Sequence, residues 1–220
     1  FSIGEPTGAP GVNRVTKHLD YALFDQLEND GSTPISDAYR YHLSLAELAD
    51  EAGFTHWFKS EHHHVPLDIA PSINVFLSAV IQRTQQIRVA SLVHLLPFYE
   101  PMRLYEELCM LDHLSEGRLD IGFGKGISPA EQLLWGVPTE EAAARCDEIL
   151  DYVLSAMRCV AENGLGSLFT YDGTYYSATD RPLEIGPYQE PHPPLWRPGT
   201  LSAAAQLGAS TILPGPISVI

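Results

Sequence analysis

Short apolar runs of four to eight residues alternate along this chain with helical patterns, and that rhythm constrains the fold more than any other feature. Strands that alternate with helices over short connections belong to a parallel sheet. A first strand fits around Leu19–Phe24. Asp37 can then cap a helix whose inward positions Tyr41, Leu45, Leu48 and Ala52 run to a stop at Gly53. A second strand, Thr55–Ser60, leads directly into Glu61-His62-His63-His64. Pro71 and Ser72 open a helix through Gln86, and Ile87–Leu96 reads as a buried third strand. Pro101 starts a helix with Leu104, Leu108, Leu111 and Leu114 as its inward stripe, and Gly117 ends it. Strand four, Arg118–Phe123, runs into a glycine-rich turn. Thr139 or Glu140 begins a long helix carrying Cys146, Ile149, Val153 and Met157.

A hairpin with a tight Asp172-Gly173 turn then interrupts the rhythm, occupying residues near 168–179. A short strand at Leu195–Arg197, a helix around Leu201–Leu207 and a strand at Thr211–Leu213 follow. That makes about six strands in 220 residues, where a complete (β/α)8 barrel averages roughly 250 residues. An open doubly wound sheet and a barrel lacking its last portion both satisfy the pattern.

With 45% apolar and 19% charged residues, the chain has the composition of a globular domain. Its net charge of −15 speaks against a nucleic-acid groove and against docking on anionic membranes. The three cysteines, Cys109, Cys146 and Cys159, have no CxxC spacing and suit buried thiols in a reducing, cytoplasmic compartment. No apolar run reaches the ~20 residues of a membrane helix.

The sharpest chemical feature is the histidine run at the end of strand two, because ligands of parallel α/β folds bind where strands end. Strand alternation sends His62 and His64 one way and His63 the other. An imidazole there can act as acid, base or hydrogen-bond donor; a purely structural cluster is the simpler alternative. His62 and His64 also form an H-x-H pair, but later strand ends offer His94, Lys125 and Pro198, a poor ligand set, so no metal is expected. Ser91-Leu92-Val93-His94 ends strand three and could wall a pocket for an aromatic ring, or be ordinary core. In Gly122-Phe123-Gly124-Lys125-Gly126 the glycines permit close backbone approach, yet the spacing misses the dinucleotide fingerprint. Arg145 can grip a phosphate or pair with Glu141 or Glu148.

Taken together, several segments resemble the bacterial luciferase-like flavin-dependent monooxygenases. They are Glu61-His62-His63, Arg83-Thr84-x-x-Ile87-Arg88-Val89, Leu96-Pro97, Glu100-Pro101-x-Arg103 and the run Leu111-Asp112-x-Leu114-Ser115-x-Gly117-Arg118-Leu119-x-x-Gly122-x-Gly124-x-Gly126. Tyr171-x-Gly173-x-Tyr175-Tyr176 and Pro191-His192-Pro193-Pro194 fit as well. The resemblance implies one TIM-barrel domain across 1–220, incomplete in its last two βα units. It implies reduced FMN as cosubstrate, with O2 oxygenating a small organic substrate through a flavin C4a-hydroperoxide. By position, His62 falls on the catalytic histidine with His63 beside it, and Leu92-Val93 falls on a non-prolyl cis peptide under the flavin ring. Gly124 and Lys125 fall on flavin-lining positions, and Arg145 on an arginine associated with the phosphate. Gly199, Thr200 and Ser202 are candidates for the phosphate loop. A homodimer supplied with reduced flavin by a separate reductase is also implied. A deazaflavin (F420) dependent hydride-transfer enzyme and a non-catalytic flavin-binding barrel are the alternatives.

Two departures stand out. Gly124 replaces the cysteine of luciferase itself, and Arg197-Pro198-Gly199-Thr200 is several residues shorter than the family's loop. The implied chemistry needs a dry site, which Leu92, Val93, Phe58 and Trp135 suit, and a histidine to manage protons.

Overall fold

Six parallel strands in the order β1-β2-β3-β5-β8-β9 form the centre of the molecule in a computed structural model describing residues 20–64, 67–199, 205 and 208–212. The elements are β1 (Ala22–Asp25), α1 (Ile35–Glu51), β2 (His56–Lys59), α2 (Ile73–Ile81), β3 (Arg88–Ser91), β4 (His94–Leu95), α3 (Pro101–Leu114), β5 (Leu119–Gly124), α4 (Pro129–Leu134), α5 (Ala142–Asn163), the antiparallel pair β6 (Ser167–Asp172) and β7 (Ser177–Leu183), β8 (Leu195–Pro198) and β9 (Ser210–Ile212). The sheet curls as part of a TIM barrel, open among the described residues between β1 and β9. The expected last helix lies almost entirely outside the described residues.

Strand alternation splits each strand between two environments. Trp57, Val89, Leu119, Ile121 and Phe123 join one buried cluster with Leu77 and Val80 of α2, Leu104 and Leu108 of α3, and Ile149 and Val153 of α5. Each such side chain contributes about 1.5–3 kcal/mol on burial. On the other face the intervening residues His56 and Phe58 stack, and Trp196 meets both rings edge-on.

Four local expectations change. In α1 the buried positions are Ala38, Ala46, Ala49 and Asp50, whereas Tyr41 and Leu48 are 68% and 60% exposed. Ala46 and Ala49 of α1 join the buried core, and the bulky stripe lies on a face that no described element covers. Asp37 is not the cap: the helix starts after Pro34, and Asp37 pairs with Arg40 in the first turn. The third strand is not continuous but divides into β3 and β4 around a cis peptide at Leu92–Val93. A hairpin spans 167–183, but the tight Asp172-Gly173 turn does not form. Asp172 pairs with Ser177, and the four-residue loop between them is closed by Glu148, whose carboxylate accepts the N–H groups of Thr174, Tyr175 and Tyr176 at 3.0, 2.7 and 2.8 Å.

The residues carrying much of the family resemblance sit at the N-terminal end of the sheet. Asp50 accepts the N–H groups of Gln85, Gln86 and Ile87 at 2.6, 2.9 and 2.6 Å. Arg118 donates to the carbonyls of Ile81, Thr84 and Ile87, closing the end of α2. Fully buried Asp112 accepts both the backbone N–H and the side-chain amide of Gln189, each at 2.8 Å. Asp120 holds Arg88, Trp196 and His56. Among the described residues no helix is long and apolar enough to cross a membrane.

Candidate active site

At the opposite end of the sheet, β2 stops at Lys59, a lysine with no exposed surface. Its ammonium pairs with Asp68 and donates to the Ser60 carbonyl at 2.9 Å, while Ser60 Oγ donates to the same carboxylate at 2.8 Å. Burial nevertheless holds the Asp68 carboxyl above the ordinary range, against the pull of Lys59. This knot fixes the start of the histidine segment.

The segment is irregular rather than extended, so neighbouring side chains do not simply alternate. Glu61 is buried and accepts from the Leu95 N–H at 3.2 Å and the Tyr99 hydroxyl at 2.8 Å, and its other oxygen lies 2.8 Å from His63 Nε2. His63 therefore faces inward, packed edge-on against Phe98 and Trp135. His62 faces the cavity. Its Nδ1 lies 3.4 Å from Glu131 Oε1, an oxygen that also accepts the His63 backbone N–H at 2.7 Å. Glu131 is brought there by α4, whose first turn is capped by Ser128.

The cavity measures about 500 Å³, within the range of small-molecule sites. Leu92, Val93, Leu95 and Phe123 form an apolar wall, and Gly124 and Lys125 lie beside it. Gly124 is closed to a side chain: a Cβ would stand 2.9 Å from Val93 Cγ2, so the cysteine of luciferase has no room here unless Val93 moves. Gly122 is more severely restricted, since a Cβ would come within 2.0 Å of the Ser91 carbonyl oxygen. The close approach is fastened by Ser91 Oγ, which donates to the Gly122 carbonyl at 2.7 Å and accepts its N–H at 2.9 Å.

Of the residues named from sequence, His62, Leu92, Val93, Gly124 and Lys125 meet at this cavity. His63 is adjacent but turned into the protein. Arg145 does not line the cavity; it pairs with Glu141 at 2.8 Å, and its guanidinium lies 4.5 Å from the centre of the Tyr175 ring. Gly199 is not among the lining residues, and Thr200 and Ser202 lie outside the described residues. Phe58 instead packs on His56 and Trp196, and Trp135 backs His63.

Sequence reasoning missed Glu131 and Arg197, both in the cavity wall. Ser128-Pro129-Ala130-Glu131 carries a legible capping pattern, and Arg197 stands at a strand end. Cys146 also lines the cavity, but burial pushes its thiol up to about 12, so it stays protonated and unreactive near neutrality.

Comparison with known proteins places the chain in a family. The luciferase-like monooxygenase family model matches residues 19–214. The chain is 39% identical over 206 residues to the uncharacterized protein y4wF of Sinorhizobium fredii, covering 92% of this chain and 58% of y4wF. It is 30% identical to limonene 1,2-monooxygenase of Rhodococcus erythropolis over 77% of this chain and 42% of that one. It is 25% identical to the oxygenase component of a flavin-dependent trigonelline monooxygenase from Acinetobacter baylyi, over 81% and 48%. The chain thus spans about half the length of these relatives. Among solved structures, monooxygenase RslO1 of Streptomyces bottropensis superposes with TM-score 0.79 at 27% identity, over 89% of this chain and 59% of that one. The oxygenating constituent of 3,6-diketocamphane monooxygenase from Pseudomonas putida, in complex with FMN, gives 0.78 at 19% identity over 87% and 56%. An F420-dependent tetrahydromethanopterin reductase from Methanopyrus kandleri gives 0.64 at 15% over 82% and 50%; these last two likenesses concern the fold alone. The chain belongs to the luciferase-like monooxygenase family.

Proposed function

We propose that this protein is an oxygenase that takes reduced FMN and O2 and transfers one oxygen atom to a small, largely apolar organic substrate. The observation that carries the reading is the placing of His62, held beside Glu131, against a cavity walled by Leu92, Val93, Leu95 and Phe123. Reduced FMN supplies two electrons and two protons; one oxygen atom enters the substrate and the other leaves as water. In open solvent the same electrons reduce O2 to H2O2, so coupling to a substrate needs a dry wall. The four apolar side chains exclude water and would give a planar ring a surface to rest on, Gly124 would leave the backbone open to it, and Lys125 would offer a cation to a bound flavin. His62 holds or donates a proton at the reacting centre, and Glu131 orients its imidazole through Nδ1.

The reductant comes from a partner in this reading. One relative is by name an oxygenase component, and no dinucleotide fingerprint occurs in this sequence. A homodimer is part of the same proposal, supported by the exposed Val75 and Met110 on the outer faces of α2 and α3.

The test is to mix the protein and reduced FMN with air-saturated buffer and follow H2O2. Release delayed relative to free flavin is the expected result. Immediate release, or turnover that strictly requires F420, overturns the proposal in favour of hydride transfer or passive flavin binding.

A further inference from the structure

Arg145, the arginine that the family pattern links to a phosphate, is engaged with Glu141 and the Tyr175 ring away from the cavity. A different arginine does line the cavity: Arg197, the third residue of β8. Its guanidinium lies 5.8 Å from the centre of the Phe123 ring, another cavity residue, so an aromatic face borders the charge. Its ion pair is weak. Asp147 lies 3.4 Å away with 62% of its side chain exposed, and it is the one ion-pair partner of Arg197 among the described residues, which leaves most of the five guanidinium donors without a partner among them. An arginine held over a ring with its fork uncommitted is arranged to take a planar or tetrahedral oxyanion through paired hydrogen bonds. Lys125, the other cavity cation, is a single exposed point charge without that fork.

We propose that Arg197 is the oxyanion-binding residue of this cavity, gripping the phosphate of FMN or a carboxylate on an otherwise apolar substrate. The inference rests on the proposed flavin-dependent reading and adds the residue that would recognise charge. It does not follow from the family pattern, which points to Arg145.

Calorimetric titrations with FMN, riboflavin, octanoate and octanamide test it in the 220-residue protein and in Arg197→Met, Arg197→Lys and Lys125→Met. If the ligand group is the phosphate, the wild type prefers FMN to riboflavin by about tenfold or more, the size of a charge-assisted pair. Arg197→Met then erases that preference and leaves riboflavin binding unchanged. If the group is a substrate carboxylate, FMN binding is insensitive to Arg197, and the preference for octanoate over octanamide is lost instead. In either case Arg197→Lys, which keeps the stem and the charge, falls between wild type and Arg197→Met, guarding against a trivial folding defect. Both preferences surviving Arg197→Met, or disappearing only in Lys125→Met, overturns the inference while flavin binding still stands. A wild type that binds neither flavin overturns the parent reading as well.

Discussion

The two ends of this sheet hold similar numbers of charged groups and use them in opposite ways. At the N-terminal end, Asp50, Asp112 and Arg118 spend their hydrogen-bonding capacity chiefly on backbone groups and Gln189, leaving little for a ligand. At the C-terminal end, Glu61 and Lys59 are similarly saturated and flank the start of the histidine segment, while His62, Lys125 and Arg197 border a cavity. Saturated charges rigidify and loosely tied ones bind. The lesson concerns the Asp112-to-Arg118 run: a family's most recognisable residues can belong to its scaffold rather than to its site.

That contrast can be broken by substitution. Gly122→Ala sets a methyl against the Ser91 carbonyl between the two ends, and is expected to cost about 3 kcal/mol or more, seen as failure to fold or a collapsed unfolding midpoint. Asp50→Ala strands three backbone donors and is expected to cost about 3 kcal/mol in urea unfolding, with flavin affinity unchanged in whatever protein remains folded. The same end governs acid sensitivity. Burial pushes the Asp50 carboxyl up, but the three N–H donors outweigh it and hold it below its ordinary value of 3.8. At Asp120, likewise, hydrogen bonds from His56, Trp196 and Arg88 overcome burial. A lowered carboxylate contributes stability that is fully present above the ordinary value and lost as pH falls through the folded one. Unfolding midpoints should therefore drop below about pH 4, and Asp50→Asn should flatten that drop.

Substitutions of the cavity-lining residues at the other end should leave stability alone. His62→Ala is expected to lower oxygenation about 100-fold, with FMN affinity within about tenfold of wild type, or ~1.4 kcal/mol; product formation and fluorescence titration check the two parts. A Glu131→Gln variant keeps the shape but not the charge beside His62, and a loss of about tenfold in turnover is expected, together with a shifted pH–rate profile. A large stability loss from His62→Ala, or an activity loss without unfolding from Asp50→Ala, would erase the division between the ends.

Much of this was readable from the residues. The alternation of strands and helices and three of the four α3 stripe positions followed from period and punctuation, whereas Leu114 is 45% exposed and the choice of a barrel over an open sheet came from the family resemblance. Five site candidates line one cavity at the strand ends. Other features were not readable, for identifiable reasons. Tyr41, Leu45 and Leu48 mark an apolar face, but periodicity does not say which element covers it, and the buried face is that of Ala38, Ala46 and Ala49 instead. His63 has the same composition and neighbours as His62, and only the position of the Glu61 carboxylate decides which imidazole is withdrawn. The sequence pointed to Arg145 and not to Arg197; Glu141 and Tyr175 hold Arg145 away from the cavity wall, and Arg197 stands in it.

A crystal structure of the protein with FMN bears most directly on the account. It should show the isoalloxazine ring against Leu92 and Val93, with the His62 imidazole at its edge and the N-terminal end of the sheet unchanged. Flavin bound elsewhere on the surface, or a ring seated with His62 turned to solvent, would contradict it.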